Sequence, residues 1–410
     1  MEAYLIDFGN MLLRWLHVIA AIAWIGESFY FVMLDNSLHE PASAEDRQRG
    51  VFGESWAVHG GGFYHNQKYA TAPAKLPEHL HWSYLKAYTT WLSGFALFLL
   101  LYLTRPDVYL VNSSSSWQWA ADLSGWQVNI LALLFLLLGW IIYNELCKRV
   151  SPTMQRDGIL SLVVAVMMAL VAWLSTHIFA GRAAFLLTGA VMATAMSANV
   201  FFWIIPGQRR MVDAMKAGAE PDPLDGKRGK QRSVHNTYFT LPVVLLMLSN
   251  HYSFLYTGDH AWIVMVLFIL AGALIRQFFV VMHAGVKQPL YLVLGALLIL
   301  AAFWLAAPAS LFASDTKQSA DTAQSESTSM EEVVSIMDKR CVQCHAEQPS
   351  HGGFSAPPAG VVLESEADIR KLQDKIKEVV ASQYMPLGNI TDMTDAERDA
   401  IAAWGEQSAD

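Results

Sequence analysis

The sequence predicts a helical protein in two parts: eight membrane-spanning helices over 1–312 and a small domain over 330–410, joined by a flexible segment at 313–329. Three observations predict it. The 410 residues are 54% hydrophobic and 16% charged, with the apolar residues gathered in long uncharged runs, which is a membrane composition. Lys and Arg divide unequally between alternate loops. Beyond residue 329 the chain changes to mixed polar sequence holding a short motif, Cys341-Val342-Gln343-Cys344-His345.

The apolar runs fall at about 10–34, 85–104, 126–147, 158–178, 183–205, 237–257, 260–283 and 288–308. Each has close to the ~20 apolar residues that a bilayer demands. In lipid the backbone must satisfy its own hydrogen bonds, so these runs are helices. The first run is too long for a cleavable leader and lacks a cleavage site. An even number of spans puts both termini on one side. The first, third, fifth and seventh loops carry fifteen Lys and Arg, whereas the second, fourth and sixth carry only Arg105 and Arg182. By the positive-inside rule this predicts a multi-pass protein with its odd loops in the cytoplasm and both termini outside. The net charge of −8 sits in loops and says little; no repeat or nucleic-acid motif stands out.

The first loop is long and holds Trp56-Ala57-Val58-His59-Gly60-Gly61-Gly62-Phe63-Tyr64-His65, then Pro77-Glu78-His79-Leu80-His81-Trp82. It reads as an ordered lid whose glycines let backbone N–H groups approach a ligand. No Gly-Lys-Ser/Thr follows, so it is not a phosphate loop. After the last span, Ala313 to Ser329 is rich in Ser, Thr, Ala, Asp and Gln, the composition of a tether. It would hold the C-terminal domain near the bundle at high effective concentration.

Cys-x-x-Cys-His is the attachment signature of a c-type haem. One helical turn places both sulfurs and the imidazole around one porphyrin edge, so Cys341 and Cys344 would bind covalently and His345 would be the proximal iron ligand. A zinc knuckle would need a second ligand pair, and the only other cysteine, Cys147, lies in an apolar run. Haem c is attached outside the inner membrane, which agrees with the orientation read from the loops. Met385, in Gln383-Tyr384-Met385-Pro386-Leu387-Gly388, is the expected distal ligand, with Met330, Met337 and Met393 as rivals. Thr394 and Glu397 form a capping box for a last helix carrying Ile401 and Trp404 on one face. From about 330 to 407 the chain resembles a small class I cytochrome c domain. The predicted fold is therefore all-α: an eight-helix transmembrane bundle followed by that domain.

Ionisable residues inside a membrane are costly and by default functional. At 1.5 Å per residue, His17, His177 and His251 share the outer depth of the bundle. They are candidate haem b ligands, or else interfacial or packing histidines. Trp15, Trp24 and Trp173 would pack a haem or belong to the interfacial belt. Toward the inner side lie Glu27, Arg276, His235 and His283, with the loop residues His59, His65, His79 and His81. Arg276 either pairs with Glu27 or holds an anionic ring through its planar fork, and the histidines could shuttle protons. Glu27, His59, His65 and Arg276 are the candidate catalytic residues. The histidine count admits a metal site, but no ligand spacing supports one.

The run Arg14-Trp15-Leu16-His17-Val18-Ile19-Ala20-Ala21-Ile22-Ala23-Trp24-Ile25-Gly26-Glu27-Ser28-Phe29-Tyr30-Phe31 resembles the start of the membrane-bound bacterial urate oxidases, or urate hydroxylases, that end in a cytochrome c domain. So do the Trp56–Tyr64 and Pro77–Trp82 stretches, Thr89-Thr90-Trp91-Leu92-Ser93-Gly94-Phe95, and His235-Asn236-Thr237-Tyr238-Phe239-Thr240-Leu241-Pro242. The likeness covers almost the whole chain. It implies oxidation of urate to 5-hydroxyisourate in purine breakdown, with electrons passed through cytochrome c to a respiratory acceptor such as a cytochrome oxidase instead of to O₂. It brings no catalytic residue with it; the candidates above rest on the residues themselves. If urate binds at the inner cluster, haem c lies roughly 30 Å away across the hydrocarbon. An intramembrane relay, expected as haem b at His17, His177 and His251, would then be needed. If urate enters from outside, the outer cluster becomes the active site. The alternative is a quinol-oxidising electron-transfer subunit or a redox-coupled transporter. A mere anchor for the C-terminal domain would need one span. The expected partners are urate, the respiratory acceptor and membrane lipid; the oligomeric state is not legible.

Overall fold

The computed structural model describes residues 2–307, 328–351, 357–381 and 384–405. Of the expected tether only 328 and 329 fall among them, and Gln383 lies outside them.

The first helix, α1 (Glu2–Asn36), is followed by the short α2 (Ala44–Gln48), whose N-cap Ser43 accepts from the Asp46 N–H. Strands β1 (Val51–His59) and β2 (Gly62–Tyr69) then pair antiparallel, Trp56 opposite His65 and His59 opposite Gly62. The chain is mostly helical as expected, but this stretch, expected as an ordered loop whose glycines approach a ligand, is a two-stranded hairpin. Gly60 and Gly61 have φ of 59° and 81°, so they form the two-residue turn whose twist suits a hairpin. Val, Phe, Trp and Tyr on either side favour the extended chain. The glycines serve the turn.

The chain continues through α3 (Leu85–Phe98, running on as a π-helical turn, Leu99–Leu103), α4 (Pro106–Tyr109), α5 (Gln118–Ala121), α6 (Gly125–Val150) and α7 (Asp157–Ile178). Next come α8 (Gly181–Asn199), continuous through a π-helical turn at Val200–Ile204 with α9 (Ile205–Lys216), then α10 (Pro223–Leu248), α11 (Ala261–His283) and α12 (Leu290–Ala306).

Six segments among the described residues are long and apolar enough to cross a membrane: Phe8–Asn36, Leu85–Leu103, Gly125–Val150, Asp157–Ile178, Gly181–Lys216 and Ala261–His283. Two of the eight expected spans read differently. The one expected over 237–257 is the second half of α10, which begins at an Asp222 cap and a Pro223 first turn and carries Asp225, Lys227, Arg228, Lys230 and Arg232 before it becomes apolar. It ends at Leu248, where the polar run Ser249-Asn250-His251 turns into 3₁₀ geometry. The last, α12, is apolar throughout but has 17 residues, or about 25 Å, against a hydrocarbon core of about 30 Å.

Helix α8 is the centre of the bundle and packs on α6, α7 and α10; α11 packs on α10 and α12, and α1 on α3. The core is Tyr143, Leu160, Met168, Phe179, Phe185, Leu187, Met192, Leu246 and Met265, all essentially solvent-free. Glycines set the closest crossings. A Cβ on Gly139 would meet Val191 at 2.7 Å, and one on Gly272 would meet Pro242 at 3.0 Å.

The C-terminal domain consists of α13 (Met330–Arg340), α14 (Glu366–Lys371), α15 (Gln373–Ala381) and α16 (Asp395–Ala403) around a core of Val333, Met337, Ile369, Val380, Met393, Ile401 and Trp404. The capping box forms as expected, the Thr394 hydroxyl accepting from the Glu397 N–H at 3.2 Å and Glu397 accepting from the Thr394 N–H at 2.8 Å. Glu397 also accepts from Arg340 Nε at 3.0 Å, tying α16 to α13.

Candidate functional site

The Cys341–His345 motif follows α13 directly, and its turn is held by N–H groups of Cys344 and His345 donating to the Cys341 carbonyl at 3.1 and 2.9 Å. Cys341 and Cys344 are free thiols, and burial pushes the Cys341 thiol up to about 12. Neither is poised as a thiolate for disulfide exchange. His345 Nδ1 is hydrogen-bonded to the Val361 carbonyl at 3.1 Å, which orients the ring and leaves Nε2 for a metal. Met337 and Met393 are packed into the domain core, while Met385 is half-buried in the loop before Leu387–Asn389. This donor set fits a c-type haem: two free thiols, an oriented imidazole and a thioether outside the core.

The three outer histidines are not brought together. His17 sits at the contact of α1 and α3, its Nδ1 3.0 Å from both the Thr90 carbonyl and the Ser93 hydroxyl. Its ring fills the space above Gly94, where an added Cβ would lie 2.8 Å from Cε1. His177 ends α7, with Nδ1 bonded to the Trp173 carbonyl at 2.7 Å and its ring between Trp117 and Trp173. His251 is exposed in a 3₁₀ turn. Among the described residues no group of three or more His, Cys, Asp or Glu could hold a metal ion. Trp15 is exposed, and Trp24 packs near Ala87 and Ile205.

The four candidate catalytic residues are also dispersed. Glu27 takes an ion pair from Lys86 at 2.6 Å and a hydrogen bond from the Ser83 hydroxyl, so its partner is α3 and not Arg276. His65 pairs with Glu54 at 2.7 Å and stacks on Trp56, with ring centroids 4.2 Å apart. The Ala42 N–H and then His65 hold the Glu54 carboxyl below the usual range. His59 is exposed at the hairpin turn. Arg276 is buried on α11, its guanidinium 4.2 Å from the Phe29 ring centroid, and its Nε and one terminal nitrogen have no hydrogen-bond partner.

Two arrangements were not anticipated. The first is a buried polar network across α6, α8 and α10. Asn199 donates to the Tyr143 hydroxyl and to Asn236 Oδ1, each at 2.9 Å, and the Tyr143 hydroxyl shares a 2.8 Å hydrogen bond with His235 Nδ1. Beside it Arg232 lies over the rings of Tyr143 and Trp203 and donates to Asn144. The signal was the polar pair Tyr143-Asn144 inside an apolar run, together with Asn199.

The second is a cavity of about 670 Å³ where the bundle meets the C-terminal domain. Its bundle side comes from Tyr109, Ser113–Ser116, His177, Arg182, Tyr256 and Trp262; its other side comes from Tyr384, Leu387 and Asn389, which flank Met385. Gly181 allows the close approach that shapes it, since an added Cβ would lie 2.6 Å from the Tyr256 carbonyl. Arg182 lies 5.6 Å over the Tyr109 ring and donates to Asn250 at 3.2 Å. Burial pushes the Tyr256 phenol up, and its hydroxyl has no hydrogen-bond partner. The volume is that of a small-molecule site. None of Cys341, Cys344 and His345 lines it.

No curated protein and no solved structure matches the chain. A family model described as urate oxidase N-terminal matches residues 3–307, which take in the whole helical bundle and the hairpin. The protein therefore belongs to the urate oxidase N-terminal family.

Proposed function

We propose that the protein is a membrane-bound urate oxidase that converts urate to 5-hydroxyisourate and passes the electrons to its own C-terminal haem c, and from there to a respiratory acceptor without forming peroxide. The reaction balances as urate plus water giving 5-hydroxyisourate, two protons and two electrons. Membership of the urate oxidase N-terminal family supports the substrate. The observation that carries the electron route is the Cys341-x-x-Cys344-His345 turn, with His345 Nδ1 anchored on the Val361 carbonyl. When bound, haem c supplies one-electron acceptance at its iron. The chain's own work is to bind the purine, deliver water to it and remove two protons. The Cys motif also supports a periplasmic C-terminus in the bacterial inner membrane, in agreement with the Lys and Arg bias of the loops.

The test is anaerobic addition of urate to the purified full chain. The c-type α-band should grow in, reaching full reduction near about half an equivalent of urate per chain, because urate gives two electrons and one haem takes one. A band that urate leaves oxidised, but that a quinol reduces at once, would replace this reading with quinol oxidation.

A further inference from the structure

We infer that the cavity between the bundle and the C-terminal domain is where a planar purine anion binds, with Arg182 as its charge partner and the Tyr109, Tyr256 and Trp262 rings as its walls. The inference rests on the urate reading above and deepens it by giving the substrate a place.

Three observations carry it. Arg182 has no carboxylate within ion-pair distance among the described residues. It is half-buried, donates through Nε to Asn250, is hydrogen-bonded to the Tyr102 side chain, rests on the Tyr109 face and lines the cavity. A planar fork suits an anion whose charge is spread over neighbouring carbonyl and ring-nitrogen atoms. Second, the buried Tyr256 hydroxyl lacks a partner, and a buried polar group left so costs free energy unless a ligand or water completes it. Third, the other cation on the wall is already engaged. Arg398 donates to the carbonyls of Val380 and Met385 at 3.0 Å and to Asn389 at 3.1 Å, so it holds the Met385 loop in place. The lining also contains the carboxylates of Asp259 and Asp395, so among its charged groups only Arg182 and Arg398 attract an anion.

Arg276 shares the unpaired guanidinium but not the surroundings. It is packed on Phe29 and does not line the cavity that Arg182 lines. The cavity at Arg182 borders Tyr384 and Leu387, on either side of Met385, so a purine held there lies beside the C-terminal domain.

The experiment is equilibrium dialysis of radiolabelled urate against the full chain in detergent, reduced beforehand with dithionite so that bound urate is not consumed. The wild type should bind. Arg182→Gln should weaken binding by roughly tenfold to a hundredfold, with Arg182→Lys in between, as expected for loss of a charge-assisted hydrogen bond. Gly258 lies in the lining, and a Cβ there meets nothing within 4 Å, so Gly258→Trp adds bulk at the cavity wall with no clash at its Cβ. It should weaken binding to a similar degree and serves if Arg182→Gln fails to fold. Undiminished binding in either folded variant overturns the inference, as does loss of binding on Arg276→Gln with Arg182→Gln unaffected. A wild type that neither binds urate nor is reduced by it overturns the functional reading itself.

Discussion

The bundle holds two polar regions that treat a buried tyrosine hydroxyl in opposite ways. At Tyr143 the hydroxyl accepts from Asn199 and shares a hydrogen bond with His235, and the ring is solvent-free. At Tyr256 the hydroxyl has no partner and the ring borders a cavity. The closed network binds α6, α8 and α10 to one another, because each member would leave another buried group unsatisfied if it were lost. The open one is incomplete as a piece of protein. A buried polar group that the fold leaves unsatisfied is a place where a ligand gains what the chain lacks.

The comparison is broken most directly at Tyr143. Tyr143→Phe keeps the ring and removes the hydroxyl, stranding Asn199 and His235, and is expected to cost about 1–3 kcal/mol. Thermal unfolding in detergent would show it, and urate affinity should be unaltered. Tyr256→Phe makes the same chemical change at the open site. It should shift stability by no more than about 0.5 kcal/mol, since no protein bond is lost, while urate dialysis reports weaker binding. A Tyr256→Phe protein as destabilised as Tyr143→Phe would mean that the two regions are alike.

The smallest effect is expected at the hairpin, where Glu54 is paired with His65. Its carboxyl is held below the usual range by the Ala42 N–H and by His65. A depressed carboxylate contributes stability above its unfolded pKa of about 4.3 and loses it as pH falls through the lower folded value. Trp56 stacks on His65, so its fluorescence should change as the pH is taken below about 4, and Glu54→Gln should abolish that step. A step that survives Glu54→Gln would assign the change to another group.

Much of the architecture was legible because it depends on local composition. Gly125–Val150 and Asp157–Ile178 each carry a long apolar stretch, and both form the expected helices. Thr394 and Glu397 announce the last helix because a capping box acts within one turn. The hairpin is also signalled, by Gly60-Gly61 between aromatic and β-branched residues, but the same glycines equally suit a backbone that approaches a ligand, and only the strand pairing shows that they make a turn. Helix α10 begins earlier than its apolar run because its charged first half hides in a loop-like composition.

The candidate site was less legible. Counting residues along a helix gives depth but not direction around the axis. His17, His177 and His251 share a depth, yet one faces Thr90 and Ser93, one sits between tryptophans and one is exposed. In the sequence Arg182 is no more than a loop charge.

By itself the sequence determined most of the helices, the family and the Cys341-x-x-Cys344-His345 spacing, because periodicity, composition and a five-residue motif are short-range properties. Only the tertiary structure decided that Glu27 pairs with Lys86, that Tyr143 is satisfied and Tyr256 is not, and that Arg182 and Tyr384 face one cavity. Those outcomes depend on which faces of distant segments meet, and packing sets that only when the whole chain has folded.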